Sequence, residues 1–268
     1  MPSVILYDAV RFDGNQLNAI AGLTVLAIDP YKPANRALRI NQLARMDKRR
    51  VSGAFWDQKQ IRVRIGIGRS NRAQAETSLD QLLAITTGQE KELIVPQGVI
   101  SAVTPTTRKY ICTLADMVPR EEGGSYLEFD MIFECSDSFG YDTVYTTNLN
   151  ISGITSSTRG DQIPFDGSAP WQVPVILVTY GTITGGTGKT VTIGNPAIGQ
   201  NIIISRTWLT GDQLEIDSFN KTVKVNGMAV DFTGAFPEWA PGLGNWSYSD
   251  NLTTRTFAAK MTYYRRFI

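Results

Sequence analysis

The chain contains no histidine. Its absence removes the Ser-His-Asp and Cys-His catalytic arrangements, histidine-ligated zinc and the commonest general base. An enzyme built from this sequence would have to run on carboxylates or lysine. Cysteine is scarce as well: Cys112 and Cys135 are the only two in 268 residues. Two cysteines make no disulfide framework. Both fall in segments that read as buried strands, where reduced cysteines usually sit, and a single bridge between them stays open. No apolar run reaches the length of about 18 residues that a membrane span needs, and no charged-then-apolar leader is indicated. Charge is balanced too, at a formal +1, with 42% hydrophobic and 19% charged residues. Such a composition is that of an ordinary soluble protein, long enough for one large or two medium domains.

Two stretches look like nucleotide chemistry and fail on inspection. "GGTGKT" (residues 185–190) ends like a phosphate loop, but the leading glycine of that pattern falls on Ile183. The segment from Thr190 onward, "TVTIGNP", alternates like a strand and not a helix, so the helix N-terminus that would cradle a phosphate is missing. A glycine-rich hairpin tip between "PVILVTYGTI" and "KTVTI" is the simpler expectation. "GIGRSN" places Gly66 and Gly68 before a helix, but a dinucleotide fingerprint needs a third glycine where Asn71 stands, and no repeated βαβ units come after it. Glu90 and Glu92 lie near the spacing of a ribose-binding acid, which alone is weak. No cofactor and no metal site is expected.

The first half reads as α+β, mostly strand with one main helix. "IRVRIGIG" sets Ile61, Val63, Ile65 and Ile67 on one face and Arg62 and Arg64 on the other. The period then changes: Ala75, Leu79, Leu82, Leu83 and Thr86 recur at helical spacing, Asn71 with Gln74 offers a capping box, and Gly88 a stop. This predicts a helix over about 72–87. "KELIVPQGV" and "KYICTLADM" read as strands. In "YLEFDMIFECSD", Leu127, Phe129, Met131, Phe133 and Cys135 point one way while Glu128, Asp130 and Glu134 point the other.

Residues 146–170 are rich in Ser, Thr, Gly and Asn and read as a linker or crossing loop between a domain over 1–145 and a second over 171–268. Beyond it, "NIIIS", "DQLEIDS", "KTVKV", "MAVDF" and "TRTFAAKMTYYRRF" are short strand candidates, and Asn226-Gly227 is a two-residue hairpin signal. Closely spaced short strands imply an all-β sandwich or jelly-roll.

The balanced total hides an asymmetry. Residues 32–72 hold twelve Lys/Arg against Asp47 and Asp57, a net of +10; residues 116–142 hold eight acids against Arg120, a net of −7. Three readings compete. The segments neutralise each other across neighbouring strands; they meet head to tail between copies, through Arg45, Lys48, Arg49, Arg50, Arg62 and Arg64 against Glu121, Glu122, Glu128 and Asp130; or "RMDKRR" contacts nucleic acid. The scarcity of aromatics in the basic stretch and the neutral total weigh against the last.

Two further readings concern sugars. Trp208, Trp239 and Trp246 could serve as stacking platforms of a non-catalytic carbohydrate-binding sandwich, although tryptophan is more often largely buried. Asp212, Glu215 and Asp217 in "GDQLEID" could hide a glycosidase pair, but they read more simply as an exposed strand with its charges outward.

The order of the segments resembles the distal tail protein (Dit) family of long non-contractile-tailed bacteriophages. The resemblance is carried by "RRVSGAFWDQKQIRVRIGIG", the helix "AQAETSLDQLLAI", "KELIVPQ", "YLEFDMIFECSDSFGYDT", "TGDQLEIDSFNKTVKVNG" and "GAFPEWAPGLGNWSYS". It runs from about residue 36 to the C-terminus. It implies a structural, non-enzymatic protein: a hexameric ring at the tail tip, formed by the N-terminal domain, with a galectin-like sandwich projecting outward. The implied partners are further copies of the chain, the tail tube protein, a tail-tip hub or tail-associated protein and a receptor-binding protein. The implied location is the virion tail tip, after synthesis and assembly in the bacterial host cytoplasm.

Overall fold

The computed structural model describes residues 10–29, 36–42, 49–56, 58–97 and 106–268. The initial "MPSVILYDA" and residues 43–48, which include Arg45 and Lys48, lie outside the described residues. Contacts divide the chain into two compact units, residues 1–143 with 268 and residues 144–267.

The first unit contains β1 (Arg11–Phe12), β2 (Asn15–Gln16), β3 (Leu23–Asp29), β4 (Arg36–Gln42), β5 (Arg49–Trp56), β6 (Gln60–Gly68), α1 (Arg72–Thr86), β7 (Lys91–Gln97), β8 (Thr106–Glu122), β9 (Tyr126–Cys135) and β10 (Gly140–Asp142). One antiparallel sheet runs in the order β2-β1-β7-β8-β9-β6-β3, and β10 also pairs with β8. The alternation in β6 is realised: Ile61, Val63, Ile65 and Ile67 have no exposed surface and share a core with Leu127, Met131 and Phe133 of β9. Fully burying each such side chain is worth about 1.5–3 kcal/mol.

The helix begins where its cap requires. The Asn71 side chain accepts the Gln74 backbone N–H at 3.0 Å, satisfying one of the donors a helix start leaves free. Its buried stripe is Ala75, Ser78, Leu82 and Thr86, so Leu83, expected inward, is only half-buried and Ser78 takes a core position. The Ser78 hydroxyl lies 2.8 Å from the Ala21 carbonyl, to which it donates. That bond makes a polar residue acceptable on the inner face.

The basic segment "RRVSGAFW" is strand. β4 and β5 form an antiparallel hairpin, from Arg36 opposite Trp56 to Gln42 opposite Arg49, and pair with no other strand among the described residues.

The second unit contains β11 (Thr146–Ile154), β12 (Thr158–Phe165), β13 (Val175–Thr184), β14 (Lys189–Asn195), β15 (Gln200–Arg206), β16 (Gln213–Asp217), β17 (Thr222–Val225), β18 (Met228–Ala229), β19 (Thr233–Gly234), β20 (Gly242–Asp250) and β21 (Thr254–Tyr263). They form two antiparallel sheets, β11-β21-β13-β16-β17-β18 and β12-β20-β14-β15-β19, whose inward residues make one core. The Asn226-Gly227 turn joins β17 and β18 with φ of 52° and 78°, the left-handed pair that a two-residue hairpin of this kind requires.

Two expectations are corrected here. Residues 146–170 are not a linker: β11 pairs with β21 in one sheet and β12 with β20 in the other. The polar composition hid strands whose only buried side chains are Leu149, Ile163 and Phe165, with Ile151 and Ile154 partly buried against the core, while threonine suits the solvated face of a sheet. Nor is the glycine-rich segment a hairpin tip. β13 and β14 belong to opposite sheets, so residues 185–188 form an arch between them.

The arch explains its glycines. Gly185 and Gly188 have φ of 59° and 61°, which favours residues without a Cβ. A Cβ on Gly186 would stand 2.1 Å from the Trp208 carbonyl oxygen. Gly186→Ala is therefore expected to destabilise the protein by about 1–3 kcal/mol, the range for forced overpacking, and a lowered urea midpoint would show it. An unchanged midpoint would mean that the arch is not held against Trp208.

Candidate functional site

The first sheet turns one face to the helix and core and the other to its charges. Register places Arg64 opposite Asp130, and Arg62 opposite Ile132, across β6 and β9; Asp130 is also opposite Val118 on β8. Arg64 donates from Nε to Asp130 Oδ1 at 3.1 Å, Arg120 donates from Nε to Oδ2, and the Arg62 guanidinium lies 4.0 Å from the same oxygen. Arg64 also stands 3.7 Å from Glu128, which accepts the Tyr126 hydroxyl at 3.2 Å.

Asp130, expected to face solvent, is 3% exposed, because three arginines close over it. Burial by itself would raise its carboxyl pKa; the hydrogen bonds and charges of Arg120 and Arg64 outweigh that and hold it below the ordinary value. Sequence reasoning missed Arg120. The signal was its place as the lone base in the acidic segment.

Four of the ten charged candidates, Arg62, Arg64, Glu128 and Asp130, thus lie together on one sheet face. Glu121 and Glu122 are exposed at the end of β8, and Glu122 lies 3.7 Å from Arg72. Arg49 and Arg50 open β5, opposite Gln42 and Asn41. The segment that includes Arg45 and Lys48 is outside the described residues.

The three tryptophans are elsewhere and do another job. Trp208, Trp239 and Trp246 are each 1% exposed and belong to the sandwich core, so the proposed sugar platforms are corrected to core residues. Trp239 stacks on Phe165 with centroids 5.1 Å apart, and the indole N–H groups of Trp208 and Trp239 donate to the Lys189 and Asn245 carbonyls. No ring face there is open to a ligand.

The carboxylates of "GDQLEID" are equally committed. Asp212 accepts the Leu209 N–H and the Asn226 amide; Asp217 accepts the N–H groups of Phe219 and Asn220; Glu215 pairs with Lys224 at 3.4 Å. They set turns and strand pairs and do not converge on a cleft.

The two nucleotide look-alikes also use their own backbone donors. Thr190 N–H donates to Asn251 at 2.7 Å. Gly68 and Arg69 N–H donate to the Gly22 and Ser125 carbonyls at 2.9 Å each, and Asn71 caps the helix that a phosphate would need. Among the described residues no group of three or more Cys, Asp or Glu side chains is placed to hold a metal, and no helix is long and apolar enough to cross a membrane.

The Asp130 cluster gives a stability prediction with a definite pH window. Because the folded pKa is depressed, its contribution is complete above the unfolded value of about 4 and is lost as pH falls through the folded value. Asp130→Asn should cost about 1.5–3 kcal/mol near neutral pH, the range for hydrogen bonds to a charged group, toward the low end because the arginines are partly solvated. In urea titrations the gap between wild type and variant should narrow below pH 4. A gap independent of pH would assign the loss to packing alone.

No family model and no curated protein sequence matches the chain. Solved structures do. The SPP1 Dit protein (gp19.1), described as a paradigm of the hub adsorption apparatus in phages infecting Gram-positive bacteria, superposes with a TM-score of 0.69 over 97% of this chain and 99% of its own, at 9% identity. A chain of the phage P2 baseplate in its activated conformation with Ca has a TM-score of 0.48 at 10% identity, covering 92% of this chain and 91% of that one. The fold assignment rests on the first of these. At 9% identity the likeness lies in the path of the backbone, and that path is the fold of a phage Dit protein.

Proposed function

We propose that this chain is a structural protein of a phage tail tip, assembling as a closed ring of six copies. Residues 1–145 would form the ring and the sandwich would project from it. The observation that carries the reading is the fold shared with SPP1 Dit over 97% of the chain. The ring would join the tail tube protein to a tail-tip hub or tail-associated protein and to a receptor-binding protein, on a virion assembled in the host cytoplasm. This role asks for interfaces and no catalysis.

A second feature supports assembly. The β4–β5 hairpin has only itself as a pairing partner among the described residues, and a lone two-stranded hairpin is marginal in water. It carries Arg36, Arg39, Arg49 and Arg50, with Arg45 and Lys48 between its strands. Docking on a surface of opposite charge would stabilise it, and Glu121 and Glu122 stand exposed at the end of β8. Arg62, Arg64, Glu128 and Asp130 already neutralise one another within a subunit. The contact between copies would then fall to the β4–β5 arm and to Glu121, with Glu122 shared with Arg72 of its own subunit. A heterologous contact of this kind closes into a ring when its rotation permits.

Native mass spectrometry across a salt series tests this. Wild type should form a closed ring, weakened as salt screens the contact. Reversing Lys48, Arg49 and Arg50 together to Glu should weaken assembly by about 10–100-fold, as expected for loss of several interfacial charge pairs. Unchanged assembly of the triple variant would rule out the arm as the closing contact, and a wild-type monomer at high concentration would remove the ring itself.

A further inference from the structure

The thiols of Cys112 and Cys135 are free, fully buried and 3.1 Å apart. They face each other in register across β8 and β9. The backbone bond from Ser136 N–H to the Ile111 carbonyl, at 2.9 Å, links the residues flanking the pair and so makes Cys112–Cys135 a non-hydrogen-bonded pair of the antiparallel ladder. In pairs of that kind the Cα atoms come within about 4.5 Å and the side chains lie closest. That separation falls inside the range a disulfide accepts.

We propose that Cys112 and Cys135 are a site of covalent modification, oxidised by a peroxide to a cross-strand disulfide within one subunit. The sulfurs need approach by only about 1 Å to reach bonding distance. One thiolate attacks a peroxide oxygen, the O–O bond breaks, and a sulfenic acid and hydroxide form. The second sulfur displaces the sulfenic hydroxyl, which leaves as water, and the S–S bond closes. The two thiols supply two electrons, and one hydrogen peroxide becomes two waters.

The surroundings fit a slow, guarded reaction. The hydrogen bond to Cys135 and then burial push the Cys112 thiol pKa up, and the nearby charge of Lys59 opposes them. Lys59 is itself 2% exposed, its Nζ lies 3.5 Å from the Tyr110 hydroxyl and 4.9 Å from that ring's centroid, and its carbonyl accepts the Cys135 N–H at 2.9 Å. Burial lowers the Lys59 pKa as well, so its charge only partly offsets the upward shift of the Cys112 thiol, and the thiolate that must form first is scarce, which makes the reaction slow. Closing the bridge links residues 23 apart in sequence and limits the unfolded chain. It joins the central strands of the sheet.

The experiment uses the folded wild-type chain, treated with hydrogen peroxide or with dithiothreitol. Thiols are counted after denaturation, and peptides are mapped without reduction. The expected result is loss of both thiols, a linked peptide containing Cys112 and Cys135, recovery of both thiols with dithiothreitol, and a higher urea midpoint for the oxidised form. Two thiols surviving peroxide, oxygen added to either cysteine without a bridge, or a bridge between two chains would each overturn the proposal. Cys112→Ser is the control in which no intrachain link should form; wild type in its two redox states supplies the test even where that variant folds poorly.

Discussion

The antiparallel ladder between β8 and β9 is the constraint on which the rest of the first unit depends. It fixes the register that sets Phe133 opposite Leu114 and Cys135 opposite Cys112, and so decides which side chains of β9 meet the core. The register shifts near Asp116 and near Pro119. Proline lacks a ladder donor and is tolerated in a strand at such irregularities. On the opposite face, the same ladder brings Arg120 beside Asp130, which β6 supplies with Arg62 and Arg64. One carboxylate then organises three guanidiniums from two neighbouring strands, and the sheet gains a charged surface that is neutralised in place.

In the sandwich a polar chain inside the core plays a comparable part. Tyr248 donates to the Asp250 carboxylate at 2.6 Å, and the Tyr180 and Tyr248 oxygens lie 3.2 Å apart. With the Tyr248 proton committed to Asp250, Tyr180 donates to Tyr248. Burial pushes both tyrosine hydroxyls well above their ordinary pKa, which keeps them as donors. Asp250 also accepts the Leu252 N–H and pairs with Arg255 at 2.9 Å, with no exposed surface on its side chain. Tyr180 is on β13 and Tyr248 on β20, so the chain of bonds spans both sheets. A buried charge is acceptable only when satisfied this fully.

These arrangements explain why features that look like chemistry are structural. The glycines of 185–188 turn the chain from one sheet to the other, Gly186 being held against the Trp208 carbonyl. Asp212 and Asp217 accept backbone donors at turns, and the tryptophans fill the space between sheets.

Much of the fold was legible in the residues because it is set by short-range physics. The alternation of β6 and β9, the Asn71 cap with its helix and the Asn226-Gly227 turn each depend on a few neighbouring positions. β20 was hidden among Gly, Ser and Asn, and only Trp246 and Tyr248, two apart, marked its inward face. The strands of 146–165 were hidden in the same way, since a strand with one solvated face needs few apolar residues. The sequence by itself determined the types of β6, α1 and β9, the Asn226-Gly227 turn and the absence of histidine chemistry. The tertiary structure alone decided that β13 and β14 lie in opposite sheets, that Asp130 is closed over by arginines and that Cys112 faces Cys135. Those outcomes depend on which distant strand is the neighbour, and local periodicity carries no information about partner choice.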